Sequence, residues 1–557
     1  MFIRVKTTPN SPRKSVQIVA SVRDGAKVRQ KIIRHVGIAM NDAELEKLKD
    51  VAGYIKSQIE EKYQPSLFSA EESAKQIINS RKQQAQQNDQ KKTLMVDLQQ
   101  LKEVQRSITG IHEVYGTLYE QLNFGSILGN NKRYANRREI IKNLTLARIA
   151  EPDSKRGSVR TLERDFGIRI NLKSAYEAMD LLDDGTIEKI QDAAYSSARQ
   201  LLGEQLDVLF YDCTTLYFES FEPDELRQKG FSKDHKANET QVLLALLVTR
   251  DGTPIGYEVF PGATFEGHTL IPVLGALKKR YQIGRIVFVA DRGLFSADNL
   301  GSLEDAGMEY VVGAKLKTQS AALKDQILAL ENYQPLNGQS DLSYLEIERP
   351  NNRRLVISYS QQRAKKDRHE RNQAIEKLKK KLAKVSTAKA FVGSSGHKKY
   401  LNIPRSGDIT LNEDAIAKSA QWDGLHGVIS NAHNESVEDI LAHYRGLWQV
   451  EESFRIQKHD LKVRPVYHWS ESRIRAHLAI SFMAFCCVRH LGYRVNLQYK
   501  KLSPAVIKRE LCHVQISLLE HQQTKSLYAM PSSISHDATK IYNVMGMRPT
   551  TTAHHVK

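Results

Sequence analysis

Three carboxylates carry the chemistry open to this sequence. Asp212 sits inside the apolar run LDVLFYDCTTLYF (206–218), Asp291 directly after IVFVA (286–290), and Glu451 within HYRGLWQVEESFRIQK (443–458). A carboxylate inside an apolar strand is costly unless it is paired, hydrogen-bonded or bound to metal. Asp291 falls at a strand's C-terminal end, where α/β sheets place their sites. Three acceptors converging on one point repel each other without a cation. Hard oxygen ligands with open positions suit Mg²⁺ or Mn²⁺. Two such ions about 4 Å apart activate a water or a 3′-hydroxyl and stabilise the leaving oxygen of a phosphodiester. Singly, each aspartate reads as readily as a turn or cap residue; the weight comes from the three together.

The stretch around Glu451 reads as one helix, His443 to Lys458. At about 100° per residue, Tyr444, Trp448, Glu451, Arg455 and Lys458 share an arc of roughly 80°. A core-facing stripe would be Leu, Ile and Val. A phenol, an indole, a carboxylate and two cations suit a surface that meets phosphates, a metal ion and an unstacked base. The competing reading is an amphipathic helix with a wet rim and a buried Trp448.

The elements that position these residues follow from the period of the chain. Residues 206–218, 241–249 and 254–260 read as a three-stranded meander, with Asp251-Gly252 as a turn. A helix at about 268–281, a strand at 286–290, a helix at 296–306 and a strand at 310–314 follow. That order describes an RNase H-like mixed α/β sheet with helices on both faces. Its first and fourth strands are neighbours, so Asp212 and Asp291 are expected side by side, with Glu451 approaching from a helix over the same edge.

Around this core (204–314 and 421–470) the chain divides into further segments. Residues 1–62 read as a small basic β-ribbon plus helix: 15–34 alternate about Asp24-Gly25, and Asn41 with Glu44 forms a capping box. Residues 63–95 are a polar linker rich in Gln, Lys and Asn. Residues 96–203 are helical, with Lys132, Arg133, Arg137 and Arg138, then Lys155, Arg156, Arg160 and Arg164, placed to read phosphates; Asp153 or Ser154 caps the second group. Residues 315–420 are an insertion carrying the basic helix 361–384. Residues 471–557 are a C-terminal helical region whose tail beyond 525 is expected to be loosely ordered.

Composition narrows the partner. Lys plus Arg number 82 against 64 Asp plus Glu, a net charge of +18, with a pI near 9.4. Such a balance points to a polyanion, above all nucleic acid. The N-terminus MFIRVKTTPN lacks an apolar signal core. The longest apolar run, Leu478 to Val488, is too short to span a membrane. The four cysteines show no CxxC or zinc spacing. A reducing cytoplasmic setting without membrane contact is expected.

Taken together, these residues resemble a DDE-type insertion-sequence transposase of the insertion-sequence-four superfamily, best over about 205–490. That group carries Tyr, two residues, Arg, three residues, Glu, six residues, Lys on its Glu helix; Tyr444, Glu451 and Lys458 match in spacing. The Arg position is Leu447; Arg445 and Arg455 are the candidate substitutes, with Arg455 on the matching face. Trp448 matches a position where relatives hold a flipped base. Lys233, Asp234 and His235 resemble an SKDH-like stretch of the family. The resemblance implies an RNase H-like catalytic core and two Mg²⁺ or Mn²⁺ ions held by Asp212, Asp291 and Glu451. It also implies DNA partners, both transposon ends and target, and a homodimer on paired ends. The implied reaction is cleavage at terminal inverted repeats followed by strand transfer. The alternatives are an RNase H-like nuclease or resolvase, and a non-catalytic DNA-binding protein derived from a transposase.

Overall fold

The computed structural model describes residues 1–556 except 8–12, 25–26, 62–94, 203–207, 220–221, 231–237, 274, 276–286, 292–296, 337–340, 384–397, 403–408 and 500–501. The expected linker, the Lys233-Asp234-His235 stretch and half of the helix expected at 268–281 therefore lie outside the described residues.

The N-terminal ribbon has three strands rather than two. β1 (Phe2–Thr7), β2 (Lys14–Asp24) and β3 (Lys27–Ala39) form an antiparallel sheet in that order. Val16, Ile18 and Ala39 pack on Leu45 and Ala52 of the helix Asp42–Glu61. The capping box forms one residue out of register. Asn41 Oδ1 accepts the Glu44 N–H at 2.9 Å, while the Glu44 carboxylate accepts the Met40 N–H at 2.7 Å.

The region expected to be helical opens with a strand, β4 (Leu101–Ile108). The helices Gly110–Gln121, Ala135–Ala150, Lys155–Phe166, Leu172–Met179 and Asp184–Leu202 follow. Ser154 is the cap of the third, its hydroxyl accepting the Gly157 N–H at 3.1 Å. The basic groups divide by what they touch. Arg137 pairs with Glu177, Arg138 donates to the Asn131 carbonyl at 2.9 Å, and Arg164 pairs with Glu151 at 2.8 Å. Lys155 is buried, contrary to its expected place on a phosphate-facing stripe, because it lies on the helix's inner face with Ser158 and Leu162. Lys132, Arg133, Arg156 and Arg160 remain exposed.

Next come β5 (Val208–Tyr217), β6 (Gln241–Thr249) and β7 (Pro254–Pro261). β6 is buried at every residue, as an unbroken apolar run requires of a strand covered on both faces. β8 (Val287–Ala290), the helix Ala297–Asp305 and β9 (Glu309–Gly313) continue the alternation. Then come β10 (Gln334–Pro335), β11 (Leu342–Arg349), β12 (Arg353–Ser360) and the basic helix Gln361–Leu382. β13 (Leu401–Asn402), β14 (Thr410–Leu411), the helix Glu413–Ala420 and β15 (Leu425–Ser430) complete this stretch.

The chain forms two compact units. One comprises residues 207–213 and 264–451. Its sheet runs β10-β11-β12-β15-β9-β8-β5, with β5, β8 and β9 parallel and the others antiparallel. This large mixed sheet is the expected α/β class. The expected insertion is largely built into it, since β12 pairs directly with β15.

The other unit comprises residues 1–206, 214–263 and 452–557. Its central helix, Glu471–Gln498, is long and apolar enough to cross a membrane, yet 89% of its apolar window is buried within the protein. The tail is ordered, contrary to expectation. β16 (Gln515–His521), β17 (Leu527–Pro531) and β18 (His554–Val556) form a four-stranded sheet with β4, in the order β18-β17-β16-β4. The helix His536–Val544 buries Ile541 and Tyr542, and the Tyr542 hydroxyl donates to Glu113. This order comes from pairing with residues some four hundred positions upstream, which no local pattern reveals.

Candidate active site

Strand register sets the first two carboxylates. β5 and β8 lie parallel with Val208 opposite Val287, Leu209 opposite Phe288 and Phe210 opposite Val289. Two residues further along each chain stand Asp212 and Asp291. A shift of two keeps the face unchanged, so the register puts the two positions level, Asp212 within β5 and Asp291 directly after β8. Asp212 is half-buried between buried Tyr211 and Cys213, and its Oδ1 accepts the Cys213 N–H at 2.7 Å. The Tyr211 hydroxyl and Thr269 Oγ1 are 2.5 Å apart, and Thr269 donates to the Glu266 carbonyl at 2.6 Å. Burial pushes the neighbouring Cys213 thiol up to about 12, which keeps it protonated.

Asp291 is exposed, and the Tyr444 hydroxyl donates to its Oδ1 at 3.4 Å. The Tyr444 ring leans on His426, centroid to centroid 4.9 Å. Tyr444 thus meets the second aspartate directly, which its place on a helix stripe did not suggest.

The expected single helix from His443 to Lys458 is broken. A helix Val437–Arg445, capped by Ser436, ends at Gly446. A second helix runs Trp448–Arg455, and a π-helical turn covers Ile456–Asp460. Tight turns make the elbow: Leu447 N–H donates to the Tyr444 carbonyl at 3.1 Å, and Val450 N–H to that of Leu447 at 3.1 Å. Gly446 allows it, because an added Cβ would stand 2.5 Å from Phe210 Cζ on β5. The uniform 100° step therefore fails for Tyr444, before the elbow, and for Lys458, in the wider π turn. Leu447, at the family's Arg position, is buried at 8% exposure.

Glu451 is exposed in the first turn of its helix. Trp448 is 48% exposed, so it is not the core residue of the competing reading. Arg455 donates to Glu452 at 2.8 and 2.6 Å and lies 3.9 Å from Asp460. Standing in for the missing Arg would mean giving up those pairs. Arg445 is exposed and Lys458 half-buried. The donor set of Asp212, Asp291 and Glu451 is all oxygen, which fits hard divalent cations. Among the described residues, no three His, Cys, Asp or Glu side chains are close enough to form a complete ligand set.

A cleft of about 790 Å³ begins at Asp291 and Tyr444 and continues past Lys315, Lys317, Lys399 and Trp422. Lys317 sits 5.8 Å from the Trp422 ring, and Lys399 4.8 Å from that of Tyr400. Burial, then the nearby Lys399, lowers the Lys317 pKa. Two of the cleft's carboxylates are satisfied internally: Arg371 forks onto Asp423, and Asp367 accepts the Gly424 N–H at 3.0 Å. The cleft's lining comes from separate segments of the chain, so no single stretch of sequence marks it.

The geometry now has a family. A family model described as "Transposase DDE domain" matches residues 203–487, just over half of the chain, and the chain belongs to that family. It is a transposase: it binds DNA, cleaves strands and transfers them. A piggyBac transposase synaptic complex with hairpin DNA is similar over 72% of this chain and 76% of its own, at 10% identity and a TM-score of 0.35. A Mos1 transposase paired-end complex with the left transposon end matches 34% of this chain and 61% of its own, at 13% identity and a TM-score of 0.14. No curated protein matches the chain.

Proposed function

We propose that the protein binds the terminal inverted repeats of an insertion sequence, cuts at their ends and joins the freed 3′-hydroxyl to target DNA. On this reading the catalytic fold is RNase H-like. Two copies act on paired ends, in the cytoplasm, on nucleoid DNA. The observation that carries the proposal is the register of β5 against β8, which brings Asp212 and Asp291 level.

Asp212, Asp291 and Glu451 would hold Mg²⁺ or Mn²⁺, whose binding supplies Lewis-acid activation of the attacking oxygen and charge neutralisation on the leaving one. Tyr444 orients Asp291 through its hydroxyl. Trp448 offers an exposed ring to an unstacked base. Lys458 takes a phosphate near the reacting one, with Arg445 and Arg455 as further phosphate contacts. The decisive experiment incubates the full-length protein with DNA carrying the element's ends and Mn²⁺. Nicks at the repeat boundary, followed by joining to a second duplex, support the proposal. Cutting without joining would instead indicate a nuclease or resolvase, and binding without cutting a non-catalytic derivative.

Salt dependence tests how the ends are gripped. Affinity is expected to fall by roughly 0.9 log unit per log unit of salt for each phosphate contacted. Arg156→Ala and Arg160→Ala, at exposed positions, should each reduce that slope by about one contact. Arg137→Ala should leave it unchanged, because Arg137 is spent on Glu177 and the Ser174 carbonyl. Equal slopes for all three would remove the helix Lys155–Phe166 from the DNA interface.

A further inference from the structure

The segment Leu461–Trp469 is pinned from beneath and armed on top. Arg148, 2% exposed, donates Nη1 to the carbonyls of Leu461 at 3.3 Å and Lys462 at 3.2 Å. His477 Nε2 lies 3.0 Å from the Val463 carbonyl. A carbonyl only accepts, so Nε2 carries the proton. Nδ1 is then left as an acceptor, 3.4 Å from Lys155 Nζ. Three successive carbonyls are thus held by two buried side chains. Val466 then bridges to Phe218, its N–H donating to the Tyr217 carbonyl at 3.3 Å.

From Val466 the side chains alternate. Val466 (3% exposed) and His468 (8%) face inward, whereas Tyr467 (55%) and Trp469 (66%) face solvent. His468 is wedged between the rings of Tyr176 and His477, at 6.1 and 5.3 Å. In extended backbone, residues two apart share a face at roughly 6.6 Å spacing, about two steps of a base stack. One cation lies against the pair: the Arg227 guanidinium, buried and held by Asp224 at 2.6 Å, is 5.2 Å from the Trp469 ring. The half-buried Arg464, on the same segment, stands 5.2 Å from the Tyr217 ring.

A single exposed aromatic needs no explanation. Two on one face, on a backbone fixed by a buried arginine and a buried histidine that are costly to keep, are different. The rings are already in place, so a partner that covers them pays little for ordering. That partner must offer flat apolar faces and negative charge together. Unpaired nucleotides do so: their bases stack on the rings, and their phosphates suit a chain of net charge +18.

We propose that Tyr467 and Trp469 form a stacking platform for unpaired bases, so that the DNA this protein engages includes a melted or single-stranded stretch. The inference rests on the transposase reading and specifies the form of its substrate. The test measures binding of the full-length protein, without divalent metal, to a blunt duplex and to the same duplex with a short single-stranded tail. The parent binds the tailed DNA more tightly. The Tyr467→Ala, Trp469→Ala double variant loses that preference, by about tenfold or more, and Trp469→Phe retains most of it. Blunt-duplex affinity and melting temperature stay at parental values. A double variant that keeps the tail preference, or that loses blunt and tailed binding equally, overturns the platform. A parent that binds neither DNA overturns the transposase reading itself, which is a separate result.

Discussion

Alanine at Asp212, Asp291 or Glu451 is expected to slow strand cleavage by about a hundredfold to a thousandfold, while DNA affinity stays within about twofold. The separation follows from position. Asp212 lies within β5, Asp291 directly follows the neighbouring parallel β8, and Glu451 opens a helix. None carries a positive charge that a phosphate would seek, so none adds to binding. Losing one metal ligand removes stabilisation felt only as charge moves in the transition state, where single groups are worth about 10²–10³ in rate. Asp212→Asn is the sharper probe, because its side-chain oxygen can still accept the Cys213 N–H while losing the charge a cation needs. Cleavage on denaturing gels and binding by anisotropy, each with Mg²⁺ and with Mn²⁺, settle the point. Appreciable metal-dependent cutting by any one alanine variant would sink its assignment as a ligand.

The core was legible because its strands announce themselves. QVLLALLVT can only be a strand covered on both faces, and β6 occupies those residues. Of the two caps the sequence allowed for the helix Lys155–Phe166, Ser154 is the one that holds it, through its hydroxyl. Local patterns failed wherever distant chain decides. The Lys155 side chain looked like one more cation on a basic stripe. Its true surroundings are His477 and Arg148, brought in from other helices. The C-terminal tail beyond 525 looked loose, yet its β17 pairs with β16, which in turn pairs with β4.

The Glu451 region shows a third kind of failure. Every residue from His443 to Lys458 tolerates a helix, and Gly446 alone hints otherwise. Helix periodicity assigned Tyr444 to the same stripe as Glu451 and Lys458. The elbow instead turns Tyr444 onto Asp291. The residue types pointed to the right chemistry, but their directions depended on packing against β5.

That elbow yields the second large effect. Gly446 has an ordinary φ of −66°, so glycine is needed there for space and not for conformation. A Cβ would stand 2.5 Å from Phe210 Cζ and 3.1 Å from the His443 carbonyl oxygen. Phe210 is fully buried, and Asp212 lies two residues beyond it on the same strand. Valine at 446 must push the elbow from β5 or drive Phe210 into its neighbours. Overpacking of this kind costs roughly 1–3 kcal/mol of stability. A displacement of about 1 Å at reacting groups costs about a hundredfold in rate. Gly446→Val is therefore expected to cut about a hundredfold more slowly than the parent, with melting lowered and DNA affinity kept. Gly446→Ala should fall between them. Phe210→Leu, which removes the clashing ring edge, should restore part of the activity of Gly446→Ala. Cleavage time courses and thermal melts on the three variants test this. If Gly446→Val cuts at the parental rate, the contact between elbow and strand does not set the position of Glu451.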